Sequence, residues 1–306
     1  MSIRPGDERT PNELPIGGPI METIAPKPRD LGDNFMVRRA LPAIEKRMIG
    51  PFIFWDEFGP ARFEAGNGLD VRPHPHINLA TVTYLFEGEI FHRDTLGSAQ
   101  AIRPGDVNWM NAGRGIAHSE RTAPDLRASG SAIAGIQSWV ALPEAQEESA
   151  PFFRHHAESE LPLIEGEGKS VRVIAGKLYG EQSPVQTYSA MFYADARLQA
   201  GASAPLDSDH EERGAYLISG AIEVDGQTHE AGRLLYFRPG VPVTIRARTP
   251  ARFMLLGGAP LGPRHIWWNF VSSRKERIEQ AKEDWKAGRF GVVAGDEKEF
   301  IPLPDH

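Results

Sequence analysis

The feature that most constrains this chain is that it carries the same segment twice. Thr83-Tyr84-Leu85-Phe86-Glu87-Gly88-Glu89-Ile90 is followed further on by Gly105-Asp106-Val107-Asn108-Trp109-Met110-Asn111-Ala112-Gly113. Ala215-Tyr216-Leu217-Ile218-Ser219-Gly220-Ala221-Ile222 and then Gly232-Arg233-Leu234-Leu235-Tyr236-Phe237-Arg238-Pro239-Gly240 repeat that order. In each copy a Tyr-Leu pair runs into a Gly turn and an Ile. A second Gly then opens a strand, and a third closes it at the same distance. One structural unit duplicated within the chain explains this pattern.

The unit itself is a β structure. Met48 to Trp55 is bulky and apolar, as a buried strand is. Residues 79–92 are rich in β-branched and aromatic types, with Gly88 as the turn between two strands. Arg103-Pro104-Gly105-Asp106 has turn chemistry, and Ile136 to Leu142 alternates until Pro143 stops it. The second half starts again with strands near Val171–Ala175, Tyr188–Ala194, Gly214–Val224, Arg233–Phe237 and Ala251–Gly257. The expected fold class is therefore all-β, two barrels in tandem with one short C-terminal helix. That helix is expected within Val271–Ala287. Ser273 and Glu276 form its capping box, Ile278, Ala281 and Trp285 share one face, and Gly288 is its stop.

A length of 306 residues suits two cores. Residues 1–30 are expected to be an irregular lead-in, and 31–142 the first barrel. The acidic, proline-bearing stretch 143–169 is expected to be a linker with His155 and His156 on its surface. Residues 170–306 form the second barrel with its helix. The net charge of -7, without a basic patch, argues against direct nucleic-acid binding. The absence of cysteine excludes disulfides and thiolate chemistry. No stretch suits a membrane span or a signal peptide, so a cytoplasmic protein is expected.

Function is expected in the first copy. His74-Pro75-His76 places two imidazoles at i and i+2, on one face of an extended strand. His118 and Glu120 repeat that spacing on another segment. Two such strands can close a four-ligand pocket of three imidazoles and a carboxylate, which suits Fe(II), Mn, Ni, Cu or Zn. His92 and Asp94, beyond the Gly88 turn, are expected at the surface or behind the ligands. The second copy has no matching set. Aligning its glycines with those of the first puts Ile245 opposite His118, and Leu206 and Ser208 opposite His74 and His76, so the second barrel is expected to hold no metal.

The motifs together resemble one family. Gly68-x5-His74-x-His76 matches the first cupin motif. His74-Pro75-His76, Thr81-Val82-Thr83-Tyr84, His92-Arg93-Asp94, Pro104-Gly105-Asp106-Val107, Ala112-Gly113-Arg114-Gly115-Ile116 and His118-Ser119-Glu120 look like the pirin signature. The resemblance runs from about Met36 through both barrels. It implies a bicupin (two jelly-roll cupin barrels) and an Fe2+ site of three His and one Glu. It also implies either of two activities. One is quercetin 2,3-dioxygenase chemistry on a small aromatic substrate with O2, with Glu120 as catalytic proton relay. The other is regulation through a protein partner. Ile77 and Trp109 are expected to line the substrate pocket. The chain departs from the family at one place: many pirins carry Glu four residues after the second histidine, where this chain has Ala80. That leaves Glu120 as the only candidate carboxylate and implies the loss of an acid/base group.

Overall fold

A computed structural model of the chain describes residues 18–30 and 35–304. Each half of the molecule is a large curved sheet closed by a four-stranded one, and the two halves have the same strand order. In the first barrel the large sheet runs Phe152–His156, Val107–Asn111, Leu79–Glu87, Ser131–Ala141, Phe52–Phe63, Met36–Leu41 and Lys27–Asp30. Its small sheet runs Asp70–His76, Ile116–Arg121, Ile90–Asp94 and Ala99–Ile102. In the second barrel the large sheet runs Ile20–Ile24, Arg233–Phe237, Glu212–Ser219, Ala251–Gly258, Met191–Leu198, Lys169–Leu178 and Leu163–Gly166, with the short Glu181–Gln182 attached. Its small sheet runs Ser203–Leu206, Val243–Ala247, Ala221–Val224 and Gln227–Glu230. All of these pairs are antiparallel, so each strand can bury one face in its barrel and the other against a neighbour.

The repeated glycines have a steric cause. Gly88 (φ +85) and Gly220 (φ +79) turn equivalent hairpins against the neighbouring strand. A Cβ would lie 2.0 Å from the Ala132 carbonyl at the first, and 2.2 Å from that of Pro250 at the second. Only glycine fits both the backbone conformation and the approach.

Three boundary expectations are corrected. The lead-in contains the strands Ile20–Ile24 and Lys27–Asp30, and the first of these pairs with Arg233–Phe237 of the second barrel. The stretch expected as a linker contributes Phe152–His156 to the first barrel, paired with Val107–Asn111, and Leu163–Gly166 to the second. His155 is half-buried and bonds to the Asn108 side chain at 2.8 Å. The C-terminal helix, Lys275–Lys286, docks on the first barrel: Ile278 and Ala281 are buried with Ile77 and Phe270, and Trp285 packs beside them. Its expected capping box does not form, because Ser273 donates its hydroxyl to Glu147 instead (2.9 Å). The chain thus crosses over at both ends, and each barrel is completed by the other's terminus. Among the described residues no helix is long and apolar enough to cross a membrane.

The largest core cluster lies between the barrels, where Trp55, Val82, Tyr84 and Trp109 meet Tyr193, Tyr216 and Leu256. The second barrel is filled by its own cluster, including Phe192, Leu217, Ile245 and Phe253. The first barrel's interior is apolar at one end only, around Phe58, Leu85, Ile102 and Ile133.

Candidate metal centre

The other end of the first barrel is polar. The antiparallel register sets His118 directly beside His74 on one side and Asp94 on the other. Glu120 pairs with His92. Residues opposite one another across an antiparallel pair share a face, so all of these side chains point inward. His74, His76, His118, Glu120, His92 and Asp94 are all buried.

His74, His76 and His118 converge, with ring centroids 4.4–5.1 Å apart. Their nearest ring nitrogens lie within 4.8 Å of one another, as ligands of one ion would. Glu120 belongs to a second such group with His118 and His92, so His118 is common to both. The proton positions can be inferred from the partners. His74 Nδ1 lies 2.8 Å from the Arg72 carbonyl, and His76 Nδ1 lies 3.1 Å from that of Asn269. A carbonyl only accepts, so both Nδ1 atoms carry hydrogen and both Nε2 atoms keep bare lone pairs. Those lone pairs face inward, and His76 Nε2 is 3.2 Å from His118 Nε2. Converging lone pairs repel unless a cation lies between them, so the donor set fits a divalent metal.

Electrostatics agrees. Burial pushes the His74 imidazole down to about 4, and pushes His76 and His118 well below their ordinary value, with the neighbouring imidazoles adding to the effect. They are therefore neutral near pH 7, the form that binds metal. Burial raises the Glu120 carboxyl, while His92 and the Thr83 hydroxyl act the other way. Thr83 donates to Glu120 at 3.0 Å and lies 2.9 Å from the Gln137 amide.

A cavity of about 540 Å³ reaches this end of the barrel, bordered by His74, Glu120, Gln137, Phe54, Phe58 and Trp139. Phe54 and Trp139 stack at 4.1 Å, and the Trp139 ring meets His76 edge-on at 5.2 Å. Arg39 lies 4.3 Å over Phe54 and binds the buried Asp56 through two nitrogens, at 2.8 and 2.7 Å. A larger groove beside Arg62, Glu64 and Arg127 touches none of the candidate ligands.

Three expectations about this site are corrected. Ile77 does not line the cavity. It follows His76 by one residue, so it points to the opposite face and packs on Phe270 and Ile278. Trp109 alternates with the inward-facing Asn108 and Met110 and lies in the core between the barrels. Ala80 also faces that core, so a carboxylate there would point away from the histidines, and its absence removes nothing from the site. Thr81 is the inward position on that strand. Of the two places expected for His92 and Asp94, the structure has the one behind the ligands: both are buried, with His92 against His118. Their i, i+2 spacing is the signal that singled out the other pairs. The liners Phe54, Gln137 and Trp139 left no comparable sign.

The glycine alignment of the two copies was two residues off for the first histidine pair. The strand register matches His118 with Ile245, His74 with Ala204 and His76 with Leu206. Ala204 and Leu206 are both buried and apolar, so neither can stand in for a histidine ligand.

Comparison with known proteins gives the same architecture. Residues 34–140 match the Pirin family, and residues 193–291 match the Pirin C-terminal cupin domain. A pirin-like protein of Caulobacter vibrioides is 51% identical over 280 residues, covering 90% of this chain and 96% of that protein. A Pseudomonas aeruginosa protein with a provisional quercetin 2,3-dioxygenase name is 40% identical, covering 93% and 91%. The crystal structure of a quercetin 2,3-dioxygenase from Acinetobacter baumannii superposes with a TM-score of 0.85 at 34% identity, covering 94% of this chain and 97% of that one. With both domains matched in order on a duplicated barrel whose first half carries the His and Glu motif, the chain belongs to the pirin family.

Proposed function

We propose that this bicupin is an iron(II)-dependent dioxygenase that cleaves the ring of a flavonol-like, quercetin-type substrate with O2, and that His74, His76, His118 and Glu120 are the metal ligands. The observation that carries this reading is the cavity. It brings a slot with a stacked aromatic wall up to His74 and Glu120, which at 7% and 8% exposure are more open than His76 and His118 at 1%. A site built only for structure would be sealed by protein. The likeness to the Acinetobacter dioxygenase supports the same chemistry. The donor set also accepts manganese, nickel, copper or zinc.

A metal held here supplies Lewis acidity and a template for the substrate's hydroxyl oxygen. The chain's own groups do the rest. Phe54 and Trp139 offer a flat apolar surface for an aromatic ring. Glu120, its carboxyl raised by burial, accepts the substrate hydroxyl proton. Thr83 orients that carboxylate, and Gln137 lies against the Thr83 hydroxyl. The aromatic lining keeps bulk water from the reacting ring.

The test is anaerobic loading with iron, followed by O2 uptake over a flavonol panel. Slow, metal-dependent consumption is expected, and Glu120→Ala should abolish it. If the loaded protein turns over none of the panel yet retains a cellular protein in a metal-dependent pull-down, the enzyme reading gives way to a regulator acting through a protein partner.

A further inference from the structure

We propose that His92 and Asp94 are positioning residues for the metal centre: together they hold His118 as its Nδ1–H tautomer, so that its Nε2 lone pair faces His74 and His76. The inference rests on the metal reading above, but part of it can be tested without metal.

The chain of contacts starts at Asp94. Its Oδ1 accepts the backbone N–H groups of Leu96 (2.9 Å) and Ser98 (3.0 Å), and its Oδ2 lies 3.0 Å from His92 Nε2. Oδ1 thus faces two N–H donors and Oδ2 faces the His92 ring, so the hydrogen of that contact sits on His92 Nε2. With its hydrogen there, His92 turns Nδ1 as an acceptor toward His118 Nδ1, 3.3 Å away. His118 then places its hydrogen on Nδ1, and its Nε2 is bare. The His92 ring is held in plane by stacking on Phe153, at 4.4 Å and 14°.

This completes the site. Backbone carbonyls set the tautomers of His74 and His76, whereas no carbonyl reaches His118 Nδ1 among its described contacts. The buried carboxylate acts through His92 in their place. Metal-binding histidines generally depend on such an outer partner to fix the tautomer and the ring orientation.

The second barrel supplies an independent observation. By strand register, His118, His92 and Asp94 correspond to Ile245, Ile222 and Val224. All three are buried and apolar. The barrel without the histidine ligands also lacks the whole chain behind them, which a merely structural His–Asp pair would not require.

Two measurements on the full-length protein test this, using His92→Phe, Asp94→Asn, His92→Gln and His118→Ala. The first is the side-chain 15N shifts of metal-free protein, which report directly which His118 nitrogen carries hydrogen. Wild type should show Nδ1–H. His92→Phe keeps the stack on Phe153 but removes the acceptor, so it should lose that preference. His92→Gln, whose amide oxygen still accepts, should restore it. The second is Fe2+ affinity, titrated anaerobically against a competing chelator. His92→Phe and Asp94→Asn should bind about 10–100-fold more weakly than wild type. Wild-type His118 protonated on Nε2 would overturn the proposal. So would folded His92→Phe and Asp94→Asn with unchanged tautomer and an affinity within about threefold of wild type. Wild-type Fe2+ binding no tighter than that of His118→Ala would instead overturn the metal reading, and the nitrogen shifts alone would then decide whether the chain of hydrogen bonds exists.

Discussion

Tyr84 and Tyr216 occupy equivalent positions of the two barrels, and each donates its phenol hydrogen to a carboxylate of the other barrel. Tyr84 reaches Asp195 at 3.1 Å, and Tyr216 reaches Glu57 at 2.5 Å. The acceptors are equivalent too. Glu57, Ile136 and Tyr84 lie in one cross-strand row of the first barrel, and Asp195, Met254 and Tyr216 lie in the matching row of the second. The barrels therefore meet as the halves of a pseudo-twofold dimer would. An arginine completes each pair: Arg38 on Glu57 and Arg252 on Asp195.

Burial, with the facing carboxylate adding to it, raises both phenols far above their ordinary range, so both stay protonated and can donate to those carboxylates. Tyr84→Phe and Tyr216→Phe should each cost about 1–3 kcal/mol, the penalty of leaving a buried acceptor short of a partner. Because the cluster is shared, both variants should still unfold in one transition in urea. Two separate transitions, or a loss for only one of the pair, would break the symmetry argument.

Arg213 is fully buried in the second barrel, at the position equivalent to Thr81. Its guanidinium donates to the carbonyls of Asp207, Arg238 (2.7 Å) and Val241 (2.8 Å). It ties down the end of the barrel whose counterpart carries the histidines. Arg213→Met should cost roughly 3 kcal/mol or more, since several buried carbonyls lose their donor at once. Lys should not restore the loss, because a point charge cannot reproduce the planar fork. A urea midpoint unchanged by either substitution would mean that water can reach those carbonyls.

Much of this was legible in the sequence, because its strongest signals are steric and periodic. The Gly88 and Gly220 turns exposed the duplication, since nothing but glycine fits against the Ala132 and Pro250 carbonyls. The i, i+2 histidine pairs carried their own geometry. Side-chain direction on an unanchored strand was harder. Trp109 and Ile77 are apolar on both readings, and only the pairing register shows that they face away from the histidines. The crossed termini were not legible at all. Strand Ile20–Ile24 has ordinary composition, and the hydrogen bond from His76 to Asn269 spans 193 positions.

One metal ion per chain is expected in protein purified without added metal, and His76→Ala should abolish it. Asn269 holds His76 through its backbone, so Asn269→Ala should leave the metal content near wild type. Elemental analysis decides, and equal metal in wild type and His76→Ala would remove the basis for the site.

Acidification should destabilise the metal-free protein. In the unfolded chain a histidine takes up a proton near pH 6.5, but burial holds His74 neutral in the fold down to about 4. Between those values the unfolded state binds more protons, so stability falls as pH falls, and His74 alone accounts for about 3 kcal/mol. Above pH 6.5 the histidines contribute no slope. His76 and His118 act in the same direction. Glu120, raised by burial, acts in the opposite one, because the folded state retains its proton to higher pH. With three groups against one, the urea midpoint should drop between about pH 7 and pH 5. A midpoint that stays level, or rises, would show that the imidazoles are solvated rather than buried.

Trp139 separates holding the metal from binding the substrate. Its ring stacks on Phe54 and meets His76 edge-on, and its 7% exposure lies where the cavity borders it. It donates nothing to the metal, so a smaller ring should spare the site while removing part of the aromatic wall. Truncation to Ala would cost about 3–5 kcal/mol and confuse the result, so Trp139→Phe is the informative change. Metal content should stay near one per chain. KM for a flavonol should rise about tenfold with kcat less affected, the pattern expected when uniform binding is lost. Loss of metal would place Trp139 with the residues that hold His76 in position. Unchanged KM with intact metal would mean that the substrate ring lies elsewhere in the cavity, and the slot between Phe54 and the histidines would no longer support the dioxygenase reading.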